Sequence, residues 1–375
     1  MDEILSFLCP DLPAPSDVLD DYEAILRNGT FTNSGPMERA LVQRVTDWIG
    51  PVHVAVVSSG TSAIELALLA LGKRDRPEVL VASFTFAAGP LCALRLGYEP
   101  VFLDVDPCSW QPSLSAAKRY LDHHGTSVAA ILLTNTFGVA NPDLPLWEAA
   151  ARSHGIPLII DSAAGFGSTT PAGWPLGTGG DCEIFSMHAT KTLAAGEGGL
   201  VTSRSPDLIA ELDARKNFGF DSSRASYLVG TNAKLPELIC AIALRQLAVL
   251  PDRIRARQAL HAHYAEALEP LGFEFQPAAD HSAIAFVSAL APTPAIRTHA
   301  LTAMASRNIE ARTYYNPPVH EQPLFCKYKR LGDLTHTISF ASRILSLPTR
   351  THLPEQGFRR VIDAIGDTTI QLASA

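Results

Sequence analysis

Short apolar runs rich in β-branched residues recur through the N-terminal half of this chain. They fall at residues 52–57, 79–81, 100–105, 128–133, 158–160 and 200–202. The segments between them carry helical spacing, most clearly at 62–71, where apolar residues fall on one helix face. Runs this short and this apolar are buried on both faces. With helices between them, they restrict the chain to a mainly parallel α/β sheet covered on both sides. Such a sheet binds its ligand at the carboxyl ends of its strands.

The texture changes near Pro251. A long pattern rich in Arg, Ala and His occupies 252–268, and apolar runs follow at 283–290 and 338–347. These predict a small α+β domain. The expected organisation is therefore a large α/β domain over 1–250 and a small C-terminal one over 251–375. The 375 residues, 47% of them hydrophobic, supply the cores that two such domains need. The proline-rich stretch 10–15 reads as an extended arm.

Composition removes several function classes. A net charge of −8 gives no basic footprint for nucleic acid. No apolar run is long enough to predict a membrane helix. The acidic start, Met1-Asp2-Glu3, lacks the basic segment of a secretory signal. Six scattered cysteines without a C-x-x-C spacing read as reduced packing residues, so a cytoplasmic location is expected. His123-His124 has no Cys or acidic cluster near it and reads as solvated, and no metal site is expected.

The chemistry concentrates at two positions. Asp161 ends the apolar run that includes Ile159 and Ile160, which places a carboxylate at a strand end. Lys191 closes Ser186-Met187-His188-Ala189-Thr190-Lys191, just ahead of Gly196-Glu197-Gly198-Gly199. A lysine amine beside a glycine turn can form a Schiff base with the aldehyde of pyridoxal phosphate (PLP). A strand-end carboxylate can keep the pyridine nitrogen protonated, so that the ring accepts electrons. Ser58-Ser59-Gly60-Thr61 lies between a strand and a helix. It reads either as an N-cap or as a phosphate site at a helix N-terminus. In Phe84-Thr85-Phe86 an aromatic after a strand can stack on a flat ring or fill core. Ser186 is placed to share a phosphate with Gly60 and Thr61. His188 reads as a group that orients cofactor or substrate, or as a structural histidine.

In this order the pieces resemble the DegT/DnrJ/EryC1/StrS family of PLP-dependent sugar aminotransferases, over nearly the whole chain. Asn33-Ser34-Gly35-Pro36 resembles the N-terminal signature, and Ser58-Ser59-Gly60-Thr61-Ser62-Ala63 the phosphate turn. Ser83-Phe84-Thr85-Phe86 and the run 100–106 resemble two further blocks. His188-Ala189-Thr190-Lys191 and Gly196-Glu197-Gly198-Gly199 resemble the lysine block. The run 230–238 is similar to the segment that reaches a neighbouring subunit. Pro317-Pro318-Val319-His320 and Leu345-Ser346-Leu347-Pro348 resemble C-terminal blocks.

The resemblance implies the aspartate-aminotransferase-like fold, fold type I. That fold has a large domain with a mainly parallel seven-stranded sheet and a small C-terminal α+β domain. It implies that Lys191 binds the cofactor and shuttles a proton, that Asp161 pairs with the ring nitrogen and that Phe86 stacks on the ring. Gly60, Thr61 and Ser186 would hold the phosphate, with Asn232 given by the partner of a homodimer. His188 joins the cofactor set. Arg312, Tyr314, Tyr315 and His320 are the substrate candidates, and Lys327 reads better as a surface residue. Histidine replaces the lysine in the family's dehydratases, and Lys191 argues against that branch.

The family usually carries Gln or His three residues after the aspartate, near the ring hydroxyl. Here that residue is Ala164, so either another residue, such as Ser162 or His188, supplies the contact or the cofactor's electronics are tuned differently. The expected reaction is amino transfer, through PLP and its pyridoxamine form, from an amino acid such as L-glutamate. The acceptor would be a nucleotide-linked keto sugar or a cyclitol ketone. The alternatives are a different PLP reaction, such as decarboxylation or oxidation, and a PLP-binding regulator without turnover. Specificity is expected in the loops 165–180, 217–230 and 312–330.

Overall fold

The computed structural model describes residues 4–373. The acidic start at 1–3, read above for its lack of a basic segment, lies outside them. Seven strands form the main sheet: β1 (His53–Val57), β2 (Glu78–Ala82), β3 (Glu99–Leu103), β4 (Val128–Thr134), β5 (Leu158–Asp161), β6 (Cys182–Ser186) and β7 (Gly199–Ser203). Their spatial order is β1-β7-β6-β5-β4-β2-β3. The pairs from β3 through β6 are parallel, and β7 runs antiparallel to both its neighbours.

Every residue of β2, β5, β6 and β7 is buried. Burial on both faces follows from the helices that cover the sheet. Ala63, Ile64, Ala67 and Leu68 of the helix Gly60–Leu71 pack on one face. The helices Leu114–His124 and Leu144–Ser153 cover part of the other with Leu121 and Trp147. The short apolar runs in the sequence mark six of the seven strands. β6 was not marked, because Glu183 interrupts its apolar pattern. The carboxylate is buried all the same, and hydrogen-bonded.

A 32-residue helix, Glu237–Leu268, carries the chain away from the main sheet. It contains Pro251, and the pattern read over 252–268 is only its C-terminal half. A proline removes one helical hydrogen bond, which is why the sequence seems to break there. Packing keeps the helix continuous: Leu247 and Leu250 are buried before the proline. After it, Arg253 donates to Thr192 O (3.0 Å) and Arg257 to Ala285 O (3.1 Å). The expected domain division near residue 250 falls inside this helix.

Beyond the helix, β8 (Glu274–Phe275), β9 (Val287–Leu290) and β10 (Ile344–Leu347) form a second, antiparallel sheet in the order β10-β9-β8. The run read at 338–347 divides into the end of the helix Thr335–Arg343 and then β10. We propose two domains that share the long helix, the second built on this sheet. The N-terminal arm is fastened to the second sheet's side of the molecule. Leu5 bridges to Ile309, Leu8 bridges to Thr349, and Phe7 is buried against Phe286 and Tyr314. In the proline-rich stretch, the Asp11 carbonyl accepts from Gln246 and Arg253.

Candidate active site

The carboxyl ends of the central strands converge on one cavity of about 450 Å³. β4 delivers Thr134 and, one residue on, Asn135. β5 delivers Asp161, and β6 delivers Ser186. Lys191 enters from the turn that follows β6. That turn is held by Lys191 N–H to His188 O (2.8 Å) and by Ala189 N–H to Gly196 O (2.9 Å). Lys191 and Asp161 therefore face the same space, although thirty residues separate them in the sequence.

Burial sets the charges of this pair. It pushes the Asp161 carboxyl up, against the pull of the Ala163 N–H (3.0 Å) and the Lys191 charge. It pushes the Lys191 amine down, and the Asp161 charge opposes that shift. A lowered lysine pKa leaves more of the neutral, nucleophilic amine.

The cavity floor is a helix N-terminus. Ser59 caps the helix Gly60–Leu71 by accepting the Ser62 N–H (3.0 Å), and its carbonyl takes the Ala63 N–H (3.0 Å). The N–H groups of Gly60 and Thr61 lie in the first turn and need an acceptor from outside the helix. Ser186 stands directly over them. A Cβ built on Gly60 would lie 3.0 Å from the Ser186 Cβ. The floor is therefore open to an anion only because residue 60 has no side chain. Behind it, Gly199 of β7 is pressed on Ser59, where a Cβ would come within 2.4 Å of the Ser59 carbonyl. A primary amine, a carboxylate and an anion cradle around one space fit the donor set that PLP requires.

His188 lies in the wall with its Nδ1 2.8 Å from Thr190 Oγ1 and its Nε2 3.7 Å from Glu197. Phe86 lines the cavity and is 64% exposed. Tyr314 and Tyr315 complete the wall from the C-terminal side. Tyr315 stacks on Phe137 at 5.7 Å with 16° between planes. Burial pushes the Tyr315 hydroxyl well up, so it stays protonated.

Of the residues singled out in the sequence, Gly60, Thr61, Phe86, Asp161, Ser186, His188, Lys191, Tyr314 and Tyr315 meet at this cavity. Three do not. Asn232 is exposed on its own protomer, outside the cavity wall. His320 is 1% exposed, with its Nδ1 2.5 Å from Ser83 Oγ, so it fastens the turn after β2 instead of facing the cavity. Arg312 points outward, over the Phe7 ring at 5.6 Å and 3.5 Å from Glu310. Lys327 lies over the Tyr328 ring, away from the site.

Ala164 lines the cavity with nothing to donate. Of its two suggested substitutes, only His188 reaches the space. The Ser162 hydroxyl is turned away, donating to Glu183 (2.5 Å) and accepting from Asn135 Nδ2 (2.7 Å). Sequence reasoning also missed Asn135, Phe137, Phe286 and Leu8. Asn135 had a readable signal, since it follows a strand as Asp161 does. The apolar three had none. Among the described residues no cluster of His, Cys, Asp and Glu could hold a metal ion, and no helix is long and apolar enough to cross a membrane.

Known proteins resemble this chain over nearly its whole length. The model of the DegT/DnrJ/EryC1/StrS aminotransferase family matches residues 15–366. A Mycobacterium tuberculosis protein named Rv3402c is 38% identical over 374 residues, covering 98% of this chain and 90% of that one. A UDP-N-acetyl-3-dehydro-alpha-D-glucosamine 3-aminotransferase from Acidithiobacillus ferrooxidans is 30% identical over 363 residues, 95% of each chain. Among solved structures, DesI in the presence of its TDP-sugar product superposes with a TM-score of 0.90. It is 29% identical, and the match covers 100% of this chain and 96% of that one.

Proposed function

This chain belongs to the DegT/DnrJ/EryC1/StrS family of PLP-dependent aminotransferases, and we propose that it moves the amino group of L-glutamate to a keto sugar. A nucleotide-linked keto sugar is the first choice, on the strength of the relatives' substrates. A cyclitol ketone is the second. The observation that carries this reading is the convergence of Lys191, Asp161 and the Gly60–Ser186 cradle on one cavity.

PLP, when bound, supplies an electron-accepting ring that stabilises negative charge beside the migrating nitrogen. The chain's own residues do the rest. The Lys191 amine would anchor the cofactor and, when free, would serve as general base and acid for the migrating proton. The Asp161 carboxylate would hold a proton on the ring nitrogen. Gly60 and Thr61 would give N–H donors to the phosphate, and Ser186 its hydroxyl. Phe86 would stack on the ring, and His188 would flank it. Tyr314 and Tyr315 offer hydroxyl donors to the acceptor, and their rings exclude water from it. Arg312 would reach only an acceptor group that extends to the cavity mouth.

Asn232 is exposed and apart from its own cavity, which supports a homodimer in which it serves the partner's phosphate site. A cytoplasmic home is part of the same reading, as all six cysteines are free. A second PLP reaction rests on one observation, the bare Ala164 in the cavity wall.

The deciding experiment is the visible spectrum of PLP-loaded protein before and after L-glutamate, without acceptor. Replacement of the pyridoxal spectrum by the pyridoxamine one supports amino transfer. A spectrum unmoved by glutamate removes that donor and favours the second reaction.

A further inference from the structure

Glu183 is the second residue of β6, on the sheet face opposite Asp161. It pairs in register with Ile160, and Asp161 with Ile184. It is 1% exposed. Its carboxylate accepts from the Ser162 hydroxyl (2.5 Å), the Gly177 N–H (2.7 Å), the Gly179 N–H (3.4 Å) and the Asn135 amide (3.4 Å). Every one of these groups is a donor, so the site is built for an acceptor-only group. An unsatisfied buried carboxylate would be costly, and this one is saturated. Yet an apolar residue would fill a buried strand position here at less risk to folding. The arrangement calls for a role beyond packing.

The donors show what that role acts on. Ser162 directly follows Asp161. Asn135 lies in the cavity wall, and its backbone N–H donates to the Asp161 carbonyl (2.9 Å). The Asn135 side chain is fixed at both ends. Its Nδ2 donates to Ser162 Oγ (2.7 Å), and its Oδ1 accepts from Asn141 N–H (3.1 Å). The cofactor side of the cavity that Ala164 leaves bare thus borders an amide locked in one orientation. That orientation is set through Ser162 by the Glu183 carboxyl, whose pKa burial raises and its four donors lower.

We propose that Glu183 is a positioning residue for cofactor binding, acting through Ser162 and Asn135 to hold the cavity wall beside Ala164 and the strand end that carries Asp161. The inference rests on the cavity being the PLP site, as read above. The two fail differently. If Lys191 is not the residue that borohydride joins to the cofactor, the site reading fails. If Lys191 is joined normally but Glu183 variants bind PLP as wild type does, only this inference fails.

The test is a double-mutant cycle on PLP affinity, measured by titrating apoprotein and following bound-cofactor absorbance, with thermal unfolding of each apoprotein alongside. Glu183→Gln keeps the shape but offers an amide where all partners are donors. It is expected to weaken PLP binding about tenfold, as loss of a charged hydrogen bond does. Asn135→Ala is expected to weaken it similarly. The double variant should be no weaker than Asn135→Ala alone, because one path carries both effects. Additive losses would overturn the proposal, as would a Glu183→Gln protein that loses stability but binds PLP unchanged. Should Glu183→Gln fail to fold, Ser162→Ala breaks the same path while leaving the glycine contacts of the carboxylate. It must then weaken PLP binding in the wild-type background and not in the Asn135→Ala background.

Discussion

Gly60 and Ser186 are held so close that a single methyl group on residue 60 would lie 3.0 Å from the Ser186 Cβ. The two residues come from different parts of the chain, one opening a helix and the other ending β6. Gly60→Ala therefore tests the cradle with the smallest possible change. The side chain would displace Ser186 or block the first-turn N–H groups. PLP affinity is expected to fall by about tenfold or more, in line with the cost of overpacking a tight site. Apoprotein stability should change less, since alanine is at home in a helix. Titration of apoprotein with PLP checks the first expectation, and thermal unfolding the second.

Lys191→Ala and Asp161→Asn should separate anchoring from activation. The first is expected to lose turnover and the capacity to be joined to the cofactor by borohydride. The second should still bind PLP and still be joined, yet lose activity by roughly a hundredfold or more, as happens when a preorganised charge is removed. A Lys191→Ala protein with full activity would refute the site assignment.

The lowered pKa of Lys191 makes a pH prediction for the apoprotein. The folded amine titrates below its unfolded value of 10.5. Below the folded pKa, the buried charge costs stability in full. As pH rises from there toward 10.5, the unfolded chain holds the extra proton, so the cost is relieved. Lys191→Met should thus be more stable than wild type near neutral pH, and the gap should close as pH approaches 10.5. Paired denaturant melts across that range measure it, and the difference between the two proteins cancels the other groups that titrate there.

Shared sites can be checked by mixing inactive variants. A hybrid of Lys191→Ala and Asn232→Ala protomers holds one doubly altered site and one intact site. With random exchange of subunits in a two-fold dimer, activity should return to roughly a quarter of wild type. If the mixture stays at the level of the separate variants, Asn232 acts within its own protomer or not at all.

The legibility of this protein follows from how its parts are built. Strands β2 to β5 could be read because parallel strands buried on both faces must be continuously apolar. The Asp161 and Lys191 blocks could be read because few local patterns place a carboxylate at a strand end and a lysine beside a glycine turn. β6 escaped because Glu183, its second residue, interrupts the apolar pattern. The long helix was cut at Pro251, because a local rule cannot see Arg253 and Arg257 fastened to carbonyls on the far side of a domain. His320 was chosen for its type and neighbours, yet only the fold turns it toward Ser83.

The sequence by itself determined the alternation of strands and helices, the family, and the placing of a carboxylate at a strand end and a lysine beside a glycine turn, since each rests on short-range spacing. Only the tertiary structure decided which polar groups meet in and behind the cavity wall. Asn135, Ser162 and Glu183 come from three separate segments, and their partnership exists because parallel pairing sets β4, β5 and β6 side by side in one register. A hydrogen bond acts across about 3 Å, and no pattern along the chain records which distant residue will stand at that distance.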